Sequence, residues 1–282
     1  MPRIFDCFTF FNELDLLEIR LETLSSTVDF FVIAESPVTY RADPKPYYFL
    51  ENRERFAKFL PKIRHVKVED MPLEKGFNKN WHRETHQRAA LERGLFDAQP
   101  DDLIMLSDLD EIPRPEKIQE AAKLTGTLRV FQMRFFSYLA NCEFHPSNDY
   151  WVGTGMTEYR VAKGRFEYVL KKLPTHLMNR PQDKFRKVLS RKIKEISIFV
   201  TQGIFVKRIR QGGHHFSWLG GAEKVLQKRG AISSHKGQKF SENYLTLDGA
   251  EKALLKTHGR IYELDSTMPP LFGDNKFQHF LA

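Results

Sequence analysis

Four consecutive apolar residues, Leu103-Ile104-Met105-Leu106, run straight into Ser107-Asp108-Leu109-Asp110-Glu111-Ile112-Pro113. A short apolar run bounded by polar residues reads as a buried strand. The acids then fall where that strand leaves its sheet, the rim at which open α/β sheets bind ligands. In extended chain Asp108 and Asp110 point the same way while Leu109 points back into the core. Two carboxylates so placed repel each other unless a cation or a proton lies between them. A hard divalent ion that keeps positions open for phosphate oxygens meets that demand.

The same grammar recurs upstream. Residues 3–11 are an apolar run ending in Asn12-Glu13, residues 28–34 a second that stops at Glu35-Ser36-Pro37, and residues 63–68 a third. Between them, apolar side chains at Leu14, Leu17, Leu21 and Leu24 carry a helical period over 14–24. Residues 38–48 read as a loop, 52–60 as a short helix ended by Pro61, and 81–95 as a helix with Gly94 near its close. Strands alternating with helices imply an α/β fold, a mainly parallel central sheet flanked by helices. Further on, residues 129–140 read as a long strand and 141–165 as loop-rich, with Trp151, Gly153 and Gly155. Residues 184–194 and 222–229 read as helices, and 204–209 as a strand leading into Gly212-Gly213-His214-His215-Phe216. No repeat, low-complexity tract or linker interrupts the chain, so residues 1–282 are read as a single domain.

The formal net charge of +8 favours an anionic partner. The excess lies in Lys171-Lys172, in 184–194 and in 207–210, runs that are equally well explained as solvated faces. No nucleic-acid-binding motif accompanies the charge. Cys7 and Cys142 fit no metal spacing or disulfide framework, which suits a reducing compartment. Arg3 and Asp6 come too early for a secretory leader, and no run approaches the ~18 apolar residues of a membrane span. A cytoplasmic location follows as the expectation, with any membrane contact peripheral.

If the first strands are parallel neighbours, Asn12-Glu13, Glu35 and the Asp108-to-Glu111 acids converge on one rim. A nucleotide with its metal compensates such a group economically; for Glu13 and Glu35 singly, a loop or helix-start role serves as well. Arg88 could reach the same rim or simply pair with Glu84 one turn away. Adjacent histidines in a strand face opposite ways, so at most one of His214 and His215 faces the site, and a structural hydrogen-bonding role serves it as well as a ligand role. The glycines before them permit close approach, and imidazole with carboxylate suits manganese better than calcium. Trp151 and Trp218 are either sugar-stacking platforms or core.

Taken in order, these residues resemble glycosyltransferase family 17, which includes the N-acetylglucosaminyltransferase that adds the bisecting residue to N-glycan cores. The resemblance runs through residues 5–21, 28–36, Lys45-Pro46, the helix with Trp81, Glu84 and Arg88, the Ser107-to-Pro113 motif, and Gly213-His214-His215-Phe216-Ser217. It implies a GT-A type, Rossmann-like glycosyltransferase that is inverting and metal-dependent. Residues 1–115 would form the nucleotide-sugar half and 116–282 the acceptor half with a C-terminal elaboration. The donor would be a nucleotide sugar, UDP-N-acetylglucosamine foremost, with Mn2+ (or Mg2+) on its diphosphate, and the acceptor a glycan or glycoconjugate. By the same resemblance Asp110 holds the metal and Asp108 contacts metal or ribose. Asn12, Glu13, Glu35 and Arg88 line the nucleotide side, and His215 closes the metal or phosphate site. An inverting transfer also needs a carboxylate base after the metal motif, for which Asp183 and Asp149 are the candidates. Two departures bear on the acceptor side: His214 stands where the family has Trp, and the match fades after residue 235. The rival readings are another metal-dependent nucleotide or phosphate enzyme (a nucleotidyltransferase or phosphohydrolase) and a basic nucleic-acid-binding protein.

Overall fold

The chain begins with β1 (Ile4–Thr9), α1 (Leu14–Leu24), β2 (Phe30–Glu35), α2 (Tyr48–Glu51), β3 (Ile63–Lys67), α3 (Lys79–Ala90) and β4 (Leu103–Asp108). It continues through β5 (Glu111–Pro113), α4 (Pro115–Ala122), β6 (Thr127–Ser137), β7 (Cys142–Glu143), β8 (Trp151–Glu158) and α5 (Tyr159–Ala162), then β9 (Phe205–Ser217) and β10 (Arg260–Ile261). The structure is a computed structural model that describes residues 2–74, 79–144, 150–172, 174, 205–219 and 260–281.

The first half is the expected parallel sheet, in the order β3-β2-β1-β4. Side chains alternate to opposite faces along each of these strands, and both faces are covered. Met105 and Phe8 pack with Leu17 and Leu21 of α1, while Ile104, Leu106 and Val32 pack with Ala90, Leu91 and Leu95 at the end of α3. Burial on both faces is why these strands are apolar throughout, as parallel strands between two helical layers must be. The resulting fold is α/β and Rossmann-like. Beyond β4 the sheet becomes mixed: β8 runs antiparallel to β4, and β6 antiparallel to β8. The long β9 then lies parallel to β6 and clasps β5 in antiparallel register. Among the described residues, no helix is long and apolar enough to cross a membrane.

Two local expectations are revised. Residues 141–165 are not mainly loop, since β8 crosses them; its glycines serve packing, and a Cβ on Gly155 would sit 2.2 Å from the Leu170 carbonyl oxygen. The 52–60 helix is a tighter 3-10 segment, Arg53–Lys62, that includes Pro61. The helix α4 has no counterpart among the sequence expectations; it starts at Pro115 in its first position and buries Ile118 and Ala121. The helices expected at 184–194 and 222–229 lie outside the described residues.

One side chain ties the parallel half together. Arg20 of α1 is fully buried. Its Nε and Nη2 donate to the two carboxylate oxygens of Asp6 on β1, at 2.8 and 2.7 Å. Nη2 also reaches Ser107 Oγ at 2.6 Å, and Nη1 donates to the carbonyls of Asp108, Leu109 and Glu111 at 3.1, 3.1 and 2.7 Å. The guanidinium lies 4.5 Å over the Phe8 ring. A buried charge survives only when paired and fully hydrogen-bonded, and here every nitrogen of the fork has an acceptor. Arg20→Met leaves Asp6 buried without its counter-charge and three carbonyls without a donor. We expect a loss of about 3–5 kcal/mol of unfolding free energy by urea denaturation, with Arg20→Lys recovering little of it.

Candidate active site

Strand order 3-2-1-4 places the switch point of the sheet between β1 and β4, because the chain moves outward from β1 to β3 and then returns to its other side. Ligands bind open α/β sheets in the crevice outside that point. A cavity of about 240 Å³ lies there. Thr9, Phe10, Phe11 and Glu13 at and beyond the end of β1 line it, as do Asp108, Leu109 and Asp110 at and beyond the end of β4, Gln87, Arg88 and Glu84 of α3, and Trp151, His215, Ser217 and Trp218. Val38, Thr39, Tyr40 and Lys45 from the loop after β2 complete the wall.

Glu13, Arg88, Asp108, Asp110 and His215 are thus brought together. Asn12 and Glu35 are not part of the wall. Asn12 is buried in the turn that starts α1, with its backbone N–H donating to Glu13 Oε2 at 3.1 Å. Glu35 points into the interior, where it accepts the Phe49 backbone N–H at 3.2 Å and faces His65 Nε2 at 3.1 Å and Lys45 Nζ at 3.5 Å. As the last residue of β2 it continues the buried pattern of that strand rather than turning to the crevice. Asp149 and Asp183 lie outside the described residues.

The two aspartates of the motif differ sharply. Asp108 is answered by the protein's own cations, with Oδ1 2.8 Å from Arg88 Nη2 and Oδ2 3.0 Å from Lys171 Nζ. Burial alone would raise its pKa, but Arg88 and Lys171 together outweigh burial and hold the carboxyl well below the usual carboxylate range. The expected i,i+4 pair also forms, since Arg88 Nη2 lies 2.8 Å from Glu84 Oε1. Lys171 further binds both oxygens of the fully buried Glu111, at 2.9 and 2.7 Å, and Trp151 Nε1 donates to Glu111 Oε1 at 2.8 Å. Glu111 Oε2 closes the turn by accepting the Asp108 backbone N–H at 3.1 Å. Lys171 is therefore a site residue; in the sequence it is one of two adjacent lysines, indistinguishable from a solvated pair.

Asp110 faces the cavity beside His215. The two histidines do face opposite ways: His214 sits over Thr267 Oγ1 at 3.2 Å on the far side of the sheet, and burial pushes its pKa down to about 3. His215 Nε2 stands 3.5 Å from Asp110 Oδ1. Backbone pairing fixes this, with His215 opposite Glu111 in the ladder and the Phe216 N–H donating to the Asp110 carbonyl at 2.8 Å. Gly213 allows that approach, since a Cβ there would lie 2.3 Å from the Ile112 carbonyl oxygen. The His215 ring is held edge-on by Phe135 and against Trp151, at centroid distances of 4.9 and 4.5 Å.

A metal ion is compatible with one part of this arrangement. Among the described residues, no three His, Cys, Asp or Glu side chains are gathered so as to hold one ion. The set Asp108, Asp110 and His215 is thus not assembled, because Arg88 and Lys171 occupy Asp108. Asp110 and His215 do fit. Their 3.5 Å separation exceeds an ordinary N–H···O hydrogen bond of about 2.7–3.2 Å, and His215 Nδ1 is buried with no hydrogen-bond partner among the described residues. Neither ring nitrogen is filled by a short protein hydrogen bond, which suits an imidazole meant for an outside partner.

The fold and cavity define a Rossmann-like protein with a cavity lined by charged side chains at the switch point of its sheet. A model of glycosyltransferase family 17 matches residues 1–178, and the chain belongs to that family. Over 117 residues, 39% of this chain, it is 30% identical to the beta-1,4-mannosyl-glycoprotein 4-beta-N-acetylglucosaminyltransferases of Rattus norvegicus and Homo sapiens. That stretch is 22% of each relative, so the chain matches about a fifth of their length. Among solved structures it is similar to a 4-diphosphocytidyl-2C-methyl-D-erythritol synthase, with a TM-score of 0.36 and 12% identity over 73% of this chain and 89% of that one. It is also similar to the inositol-1-phosphate CTP transferase from T. maritima, with a TM-score of 0.39 and 13% identity over 81% and 96%.

The two aspartates should separate in experiment. Asp108→Ala removes the counter-charge that Arg88 and Lys171 share, while Glu84 and Glu111 still pair with them, and should cost about 1–3 kcal/mol of unfolding free energy. Asp110→Ala should cost clearly less while abolishing any Mn2+-dependent stabilisation of the protein in thermal melts. Equal losses of stability would contradict this division of roles.

Proposed function

We propose that this cavity binds a nucleotide-sugar donor with a divalent cation, and that the protein transfers a sugar with inversion onto a glycan acceptor. The donor is UDP-N-acetylglucosamine and the cation Mn2+, with Mg2+ as the alternative. The observation that carries the reading is the pairing of Asp110 with His215 at the rim of the switch-point cavity. Family membership supports the transferase class, and the N-acetylglucosaminyltransferase relatives support the donor sugar.

Asp110 and His215 would hold the cation, which when bound supplies positive charge to the departing diphosphate. The remaining roles follow from the chain itself. Arg20 and Glu111 fix the turn that presents Asp110, so the carboxylate is placed before ligand arrives. Asp108 is held ionised by Arg88 and Lys171 and is available to orient neighbouring donors rather than the cation. Arg88 pairs with Glu84 and Asp108 through Nη2, which fixes its positive charge at the cavity wall. Trp151 is tied to Glu111 and packed against His215, which makes it a wall that keeps the imidazole in place. The acceptor hydroxyl must lose its proton to a base on the acceptor side; Asp149 and Asp183 remain the candidates for it. Of the cavity carboxylates, Glu84 and Asp108 are each neutralised by Arg88 and are poorly suited to take a proton.

The test is release of UDP from UDP-N-acetylglucosamine. With Mn2+ and a panel of N-glycan cores and simpler mannosides, release should depend on acceptor and stop on chelation with EDTA. Asp110→Ala and His215→Gln should each lower the rate at least a hundredfold, about 2.7 kcal/mol or more of transition-state stabilisation. Release of pyrophosphate from CTP or UTP, with none of UDP, would instead mark a nucleotidyltransferase.

A further inference from the structure

Lys45 lies in the loop between β2 and α2, which has no repeating pattern to suggest a role, yet the loop is built rather than loose. Val38 bridges Pro44, the Lys45 N–H donates to the Pro37 carbonyl at 2.8 Å, and the Thr39 N–H donates to the Asp43 carbonyl at 2.8 Å. Ala42, at φ 67°, makes the reversal. From α3, Arg83 Nε holds the Tyr40 carbonyl at 2.6 Å. These bonds return Lys45 to the cavity wall with only 6% of its side chain exposed. The ammonium sits 5.7 Å from the centre of the Phe11 ring and 5.2 Å from that of Tyr48.

Among the described residues that line the cavity, the carboxylates are Glu13, Glu84, Asp108 and Asp110 and the permanent cations Arg88 and Lys45. Arg88 is committed to Glu84 and Asp108. Lys45 has a long ion pair of 3.5 Å to Glu35, behind the wall, and a hydrogen bond of 3.1 Å to the Pro46 carbonyl. An ammonium carries three donors, so capacity remains for a ligand. Burial lowers the pKa of Lys45, and Glu35 offsets this only in part, so an entering anion would relieve an unfavourable desolvation. Glu35 is in turn fixed by the Phe49 N–H and His65, which makes it the residue that positions Lys45 rather than one that touches ligand.

We propose that Lys45 is a donor-binding residue whose ammonium contacts the diphosphate of the nucleotide sugar, an assignment that rests on the donor reading above. A compact ammonium held on apolar rings recognises phosphate charge and offers little to discriminate a base. The cavity then has its cation on one side at Asp110 and His215 and its fixed ammonium on the other. Glu35→Gln should weaken donor binding through Lys45 while leaving the wall unchanged.

Calorimetric titration of UDP and of uridine, each with Mn2+, into the wild type, Lys45→Met, Lys45→Gln and Lys45→Arg tests it. Wild type should bind UDP, and Lys45→Met and Lys45→Gln should bind it about 10- to 100-fold more weakly with the affinity for uridine unchanged. Lys45→Arg should recover most of the loss, and melting temperatures near the wild-type value show that the variants are folded. Unchanged UDP affinity in both neutral variants, or equal losses for UDP and uridine, would overturn the assignment. Failure of the wild type itself to bind UDP would overturn the donor reading and this assignment with it.

Discussion

The Arg20 guanidinium is buried where α1 crosses β1 and β4, and there it makes a two-point ion pair with Asp6 while donating to the backbone carbonyls of the 108–111 turn. Two consecutive elements, β1 and α1, and a turn distant from them in the chain are joined by one planar group with five donors. The turn could not be supported by the apolar core alone, because its carbonyls point inward and would be left unpaired. Without that support neither Asp108 nor Asp110 has a defined direction. Asp6 supplies the counter-charge that lets the guanidinium stay buried, so the clamp works as a pair.

Above the clamp, charge is distributed in layers. Glu111 is buried under Lys171 and Trp151, Asp108 is shared between Arg88 and Lys171, and Asp110 faces the cavity with His215. Fixed cations thus neutralise the acids that build the site and leave its rim acidic. In a low-dielectric cleft such fixed charges act more strongly than in water and need no rearrangement when ligand binds. β9 contributes to the same economy: one strand carries His215 into the cavity and His214 to the opposite face, where the Thr267 contact anchors the C-terminal segment.

Much of this was legible in the residues. The bounds of α1 follow from Leu14, Leu17, Leu21 and Leu24, and β4 with its acidic exit from a four-residue apolar run. Glu13, Arg88, Asp108, Asp110 and His215 were all placed at one rim, and the structure brings them to one cavity. Glu35 was misplaced because a polar residue at a strand end reads the same whether it turns out to the crevice or in to a buried lysine. Arg20 left a signal that was there to be used: it is three residues after Leu17 and four before Leu24, on the apolar stripe of its helix, where an unpaired charge could not stay. Lys45 stood out only as part of the family resemblance and Lys171 only as one of a charged pair, since the role of each depends on tertiary neighbours that no local pattern encodes. The glycines of β8 suggested loop and instead serve close packing, the usual ambiguity of glycine without its surroundings.

The central claim is that Asp110 and His215, with Asp108 kept apart by Arg88 and Lys171, form the cation site. Pulsed electron paramagnetic resonance of the Mn2+ complex with UDP tests it most directly, because a coordinated imidazole nitrogen modulates the manganese echo. The account predicts nitrogen modulation in the wild type that persists in His214→Gln and disappears in His215→Gln. Modulation that survives in His215→Gln, or its absence from a wild-type complex shown to contain bound Mn2+, would contradict it.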